Sequence, residues 1–173
     1  VLLNIEALTG SSYNDVLTGD GGNNTLTGLQ GNDSLVGGAG GDWITPGAGA
    51  DTVVGGSGSD MVSFADLTQG VQVHLTEGTA VSGGETNQLI DIEQITGTIY
   101  GDFIQGDSSD NRIRGLGDYD WLVGSDGADS FDGGHGRDML SYVYAPAAVT
   151  ALAVASNANS PLVTSARSRT AII

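Results

Sequence analysis

The chain has no cysteine and no lysine, and only three prolines among its 173 residues. Without thiols it can hold neither a disulfide framework nor a zinc–thiolate centre. Without lysine it has no P-loop, and its glycines never assemble a complete G-x-G-x-x-G, so the usual nucleotide-binding loops are excluded. Positive charge is scarce: five arginines face 21 acidic residues, for a formal net charge of −16. Nucleic acid and anionic membrane surfaces both call for a basic protein, so neither is an expected partner. No apolar run nears the roughly 20 residues of a membrane-spanning helix, which argues against membrane insertion. No signal peptide is visible after Val1, and the chain is expected to be a piece cut from a longer array.

What the chain has in excess is glycine, with 29 residues, and aspartate, with 17 against four glutamates. Both favour turns over helix. Their spacing is regular. Asp or Asn recurs every nine residues at Asp15, Asn24, Asp33, Asp42, Asp51 and Asp60, and again at Asp102, Asn111, Asp120, Asp129 and Asp138. Two residues after each stands an apolar side chain: Leu17, Leu26, Leu35, Ile44, Val53 and Val62, then Ile104, Ile113, Leu122, Phe131 and Leu140. Five residues before each stands Gly, with Pro46 the one exception. The cleanest copies are GGAGGDWIT from Gly37, GGSGSDMVS from Gly55 and GGHGRDMLS from Gly133. A fixed short period of this kind marks a repeat architecture.

A longer period overlies the short one. Residues 2–10 are similar to residues 89–97, and Asp60–Phe64 is similar to Asp138–Tyr142. The expected organisation is the end of a truncated linker at 1–9, a first array of six nonads at 10–63, and a linker with strands at 64–96. A second array of five nonads follows at 97–141, then a divergent cap or tail at 142–173. Within the linker, Val71, Val73 and Leu75 alternate with polar residues, as in a half-buried strand.

The pattern G-G-x-G-x-D-x-U-x, with U apolar, resembles the RTX (repeats-in-toxin) family of hemolysin-type calcium-binding nonapeptide repeats. The resemblance implies an all-β fold, a right-handed parallel β-roll or β-solenoid, here as two stacked arrays joined by a β-rich linker. It also implies export through a type I secretion channel and a place outside the cell, secreted or at its surface.

The spacing carries its own chemistry. Gly permits the positive φ that a tight turn needs, and the triplet after each Asp reads as a short strand with its middle side chain inward. Two nonads make a coil of 18 residues, so Asp15, Asp33 and Asp51 stack on one side and Asn24, Asp42 and Asp60 on the other. In the second array Asp102, Asp120 and Asp138 stack opposite Asn111 and Asp129. Adjacent strands lie about 4.8 Å apart. Two charged carboxylates at that spacing repel by roughly 3–4 kcal/mol at an effective dielectric near 20. A divalent cation between them reverses the sign. Ca2+ suits the site better than Mg2+, because it takes six to eight oxygens in irregular geometry. The expected metal ligands are the eleven Asp and Asn residues named above. They are joined by turn carbonyls near Gly19, Gly28, Gly31, Gly37, Gly40, Gly49, Gly55, Gly58, Gly115, Gly124, Gly127 and Gly133. Counting stacked pairs allows up to about seven ions. Pairs that include Asn24 or Asn111 should bind more weakly. Tyr13, Tyr100, Ser109 and Asp118 replace the fourth-position Gly, so the second array should be the less regular.

Other residues read more plainly. His74 is expected to face outward from a strand and His135 to lie in a turn, with no catalytic constellation around either. Trp43 and Trp121 directly follow a ladder Asp, in an outward position suited to packing on a neighbour or contacting sugar. Phe64 and Tyr142 are expected to cap their arrays. The functional expectation is a non-enzymatic module that folds on calcium. Two alternatives are a carbohydrate-binding or stabilising module beside a secreted epimerase, protease or lipase, and a spacer in a surface adhesin.

Overall fold

The computed structural model describes residues 5–145 and the backbone of residues 149–155 and 162–168. Residues 1–4 of the truncated linker and residues 146–148, 156–161 and 169–173 of the tail lie outside the described residues. Nearly every nonad forms its own strand. The first stretch gives β1 (Ala7–Thr9), β2 (Val16–Thr18), β3 (Thr25–Gln30), β4 (Ser34–Gly40), β5 (Trp43–Ala48), β6 (Thr52–Gly58) and β7 (Met61–Ser63). The linker gives β8 (Gln72–His74), β9 (Thr79–Ser82), β10 (Glu85–Ile90) and β11 (Gln94–Thr96). The second array gives β12 (Phe103–Gln105), β13 (Arg112–Arg114), β14 (Trp121–Val123), β15 (Ser130–Asp132) and β16 (Met139–Ser141). A hairpin of β17 (Val149–Ala155) and β18 (Leu162–Ser168) follows.

Successive strands alternate between two sheets. One runs β1-β3-β5-β7-β11-β13-β15-β18-β17 and the other β16-β14-β12-β8-β9-β10-β6-β4-β2. The array strands pair in parallel at the 18-residue offset, so Leu8 faces Leu26, Leu26 faces Ile44, and Leu17 faces Leu35. This is the β-roll that the repeat implied. Alternation points the apolar residue of each triplet between the sheets. Leu26, Leu35, Ile44, Val53, Val62, Ile104, Ile113, Leu122 and Phe131 are buried there, while Leu17 and Leu140, on end coils with one neighbour, are only partly covered.

The linker is woven into the roll. Ile95 of β11 pairs with Val62 on one side and Ile113 on the other, so the first sheet crosses the seam without a break. In the second sheet β10 pairs in parallel with β6 and β8 in parallel with β12, while β9 lies antiparallel between them. Val71, Val73, Leu89, Ile92 and Ile95 are buried and extend one core through the seam. Phe64 is fully buried at the end of the first array, and Tyr142 lies edge-on to Phe131 at 6.0 Å. Pro46 stands inside β5. It has no N–H to donate, and the registered pairing of β5 with β7 stops at Ile44↔Val62.

The turns need left-handed backbone. Gly38 and Gly40 take φ of 116° and 107°, and a Cβ on Gly58 would strike the Gly40 carbonyl one coil below. Leu29 (φ 83°) and Leu116 (φ 88°) keep this conformation without being glycine. Left-handed backbone costs an L-residue about 1–2 kcal/mol, whereas glycine pays about 0.5–1 kcal/mol in chain entropy. Leu29 is 44% exposed and loses little burial when truncated. Leu29→Gly should therefore raise stability by up to about 1 kcal/mol, read as a higher melting temperature in excess calcium. A lower one would contradict the strain argument.

Candidate metal centre

The expected ligand residues line two ladders, one at the leading edge of each sheet. All the interior members, from Asn24 to Asp60 and from Asp102 to Asp129, are at most 5% exposed. Asp15 and Asp138, on end coils, are partly covered. The two oxygens of each carboxylate meet different fates. Oδ1 accepts the amide of the ladder residue one coil earlier. Asp15 donates to Asp33 at 2.8 Å, Asn24 to Asp42 at 2.7 Å, Asp33 to Asp51 at 2.8 Å and Asp42 to Asp60 at 2.8 Å. Asp102 donates to Asp120 at 2.9 Å, Asn111 to Asp129 at 3.0 Å and Asp120 to Asp138 at 3.2 Å. The amides offset part of the repulsion between stacked acids.

Oδ2 is the exception to good housekeeping. In Asp33, Asp42, Asp51, Asp60, Asp120 and Asp129 it is buried with no hydrogen-bond partner. A buried charged oxygen without a partner is strongly unfavourable. Those of Asp33, Asp42, Asp60 and Asp120 lie beside a bare glycine with a carbonyl from the next coil close by, whereas Pro46 holds the glycine's place before Asp51. A Cβ on Gly28 would meet Asp33 Oδ2 and the Pro46 carbonyl. One on Gly37 would meet Asp42 Oδ2 and the Gly55 carbonyl, and one on Gly115 would meet Asp120 Oδ2 and the Gly133 carbonyl. Gly124 differs, since its nearest neighbours are the rings of Tyr142 and Phe131. The carbonyls of Gly31 and Gly40 pack under Gly49 and Gly58, in the stacking of turn on turn. Gly127 takes the same left-handed turn position before Asp129. Among the described residues no three His, Cys, Asp or Glu side chains converge. An ion here must therefore draw on main-chain oxygens, which hard Ca2+ accepts readily.

The first two turns of each array are built differently. There the amide four residues upstream closes on the ladder side chain. Ser11 donates to Asp15 Oδ2 at 2.5 Å, Asp20 to Asn24 Oδ1 at 2.7 Å, Thr98 to Asp102 Oδ2 at 2.6 Å and Asp107 to Asn111 Oδ1 at 2.8 Å. In the open turns before Asp33, Asp42, Asp51, Asp60 and Asp120, that upstream residue is Leu29, Gly38, Gly47, Gly56 or Leu116, each left-handed. In these nine turns a left-handed residue at that place goes with a free oxygen, whereas Asp129 has a free oxygen behind Ser125, which is not left-handed.

The family model of the RTX calcium-binding nonapeptide repeat matches four times, at residues 5–35, 28–62, 96–118 and 120–141, which together span more than half of the chain. The chain belongs to this family. No curated protein matches it. The free oxygens lie within the matched RTX segments.

Three further residues join the RTX ladders. Asp51 donates its amide to Asn87 Oδ1 at 2.8 Å and Asp60 donates to Glu93 Oε2 at 2.9 Å, so linker residues stand in for the next coil's Asp. The Glu6 carbonyl accepts the Thr25 amide, as ladder residues do elsewhere. Glu6 and Glu93 were visible in principle, since each lies nine residues before the first Asp of its array. Asn87 carries no such signal.

Burial raises the pKa of five ladder aspartates. Asp51 and Asp129 rise to about 6 and Asp120 to about 7, chiefly by desolvation, opposed by their backbone amides and reinforced by neighbouring carboxylates. Asp60 and Asp102 shift the same way. In the metal-free fold this penalty is absent below about pH 4, where the unfolded chain is protonated too, and complete above about pH 7. Calcium requires the ionised form, so its binding releases protons. The apparent calcium affinity should fall on the order of 10–100-fold between pH 7.5 and pH 5, as measured by calorimetric titration at the two pH values. An affinity independent of pH would place the ion elsewhere.

The outward residues are also located. Trp43 and Trp121 are 51% and 41% exposed, and Trp121 sits edge-on to Phe103 at 5.4 Å. His74 Nδ1 is 3.2 Å from Gln105 Oε1, while His135 is exposed in its turn. Among the described residues no helix is long and apolar enough to cross a membrane.

Proposed function

We propose that this chain is a non-catalytic module that folds when calcium fills its open turns, and that it serves a protein exported through a type I channel. One observation carries the reading: six buried aspartate oxygens without partners, spaced along two ladders. Asp33, Asp42, Asp51, Asp60 and Asp120 would hold the ions, with the carbonyls of Pro46, Gly55, Asp91 and Gly133 among their companions. Bound calcium supplies the positive charge that the chain lacks. About five divalent ions, one for each open turn, would cancel more than half of the formal charge of −16. Inside a cell, where calcium is scarce, the acidic ladders keep the chain extended and able to thread a channel. Outside, calcium condenses it, with folding and metal binding as one event. Calcium removal followed by circular dichroism tests the proposal, and a β signal that survives chelation would overturn it.

A further inference from the structure

We infer that the linker completes a calcium site of its own at the seam, formed by Asp60, the main chain of Asp91 and Glu93, and that this site couples the two arrays. The inference rests on the proposed calcium-dependent fold and extends it to residues outside the repeats.

The geometry at the seam copies that of an open turn. Within the first array, Asp42 leaves Oδ2 free beside Gly37 and the Gly55 carbonyl, and gives its amide to Asp60 Oδ1 at 2.8 Å. At the seam, Asp60 leaves Oδ2 free beside Gly55 and the Asp91 carbonyl, and gives its amide to Glu93 Oε2 at 2.9 Å. Asp60 is fully buried, so its free oxygen has no water to turn to. Asp91 adopts a φ of 53°, the left-handed backbone that open turns use. Glu93 then passes its carbonyl to the Arg112 amide at 2.9 Å, where the next coil begins. On this side, side-chain links run from Asn24 through Asp42 and Asp60 to Glu93, and the Glu93 carbonyl joins the main chain that leads to Asn111 and Asp129. The opposite ladder breaks between Asn87, which takes the Asp51 amide, and Val71, which gives its amide to Asp102 in a ladder residue's place, because β9 lies between their strands. The seam site is the one place where a shared cation ties a carboxylate of the first array to a residue that leads into the second.

The chain carries its own reporters, with Trp43 in the first array and Trp121 in the second. Calcium is titrated into the full chain, into Trp43→Phe and Trp121→Phe, and into each combined with Glu93→Gln. In the parent both reporters should respond at the same calcium concentration. Glu93→Gln keeps an acceptor for the Asp60 amide but removes the charge. It should lose one ion from the stoichiometry found by equilibrium dialysis, and the midpoint reported by Trp121 should rise about fivefold or more. Glu93→Asp should keep the ion. Asp91→Asn should also keep it, since only the carbonyl takes part. If Glu93→Gln binds as many ions with both midpoints unmoved, the seam site is wrong while the calcium-folded roll stands. If the parent shows no calcium response at either tryptophan, the underlying reading fails instead.

Discussion

Stripping calcium from the folded chain should abolish most of its β-sheet circular dichroism, and restoring calcium should bring it back. The core gives the reason. Most nonads bury a single apolar side chain, such as Ile44 or Val53, against nine residues of ordered, glycine-rich backbone. Glycine loses more freedom on folding than any other residue, so a core this thin cannot hold the chain alone. The metal-free fold must also bury the unpartnered oxygens of Asp33, Asp42, Asp51, Asp60, Asp120 and Asp129. Their desolvation acts in the same direction as their mutual repulsion. Magnesium should restore much less signal, because it demands strict octahedral geometry and holds its waters. Acidification should partly replace calcium: near pH 4 Asp51, Asp120 and Asp129 are protonated in the fold and no longer carry buried charge, so the chelated chain should regain some β structure. Full β signal in chelator at neutral pH would contradict the account.

Gly37→Ala should damage both the ion site and the stacking of coils in the first array. The added carbon would press on Asp42 Oδ2 and lie 2.7 Å from the Gly55 carbonyl oxygen, which belongs to the next coil and cannot swing aside. The substitution removes space for the ion and wedges two coils apart at once. Loss of one bound ion and a destabilisation of about 3 kcal/mol or more are expected, measured by equilibrium dialysis and by denaturation in excess calcium. Gly21→Ala is the matched control, since nothing lies within 4 Å of its added carbon. That variant should be neutral in both measurements. Equal behaviour of the two would show that the glycine cradle is not the site.

The roll itself was legible because its physics is periodic. The phase of Asp15 to Asp60 fixes which residues share a coil, and Leu26, Leu35 and Ile44 lie inside as the strand alternation requires. Features that break the period were harder to see. Leu29 and Leu116 look like lapses from the glycine pattern, yet the turn forces them into the glycine conformation. Ser11, Asp20, Thr98 and Asp107 look equally like lapses, and there the turn closes on its own ladder residue. Residue type does not separate the two cases, because leucine takes the left-handed φ in one and serine, threonine and aspartate do not in the other. Asn87 joins its ladder only because a hairpin folds β10 against β6, a pairing between residues far apart in the chain.

The unequal faces of the linker have a mechanical consequence. Between β5 and β11 one face of the roll gains a single strand, β7, while between β6 and β12 the other gains three, β8, β9 and β10. At about 4.8 Å per strand, the second face is longer by roughly 10 Å over that stretch, comparable to the distance between packed sheets. The β9–β10 hairpin thus acts as a wedge that lengthens one face of the seam and leaves the other short.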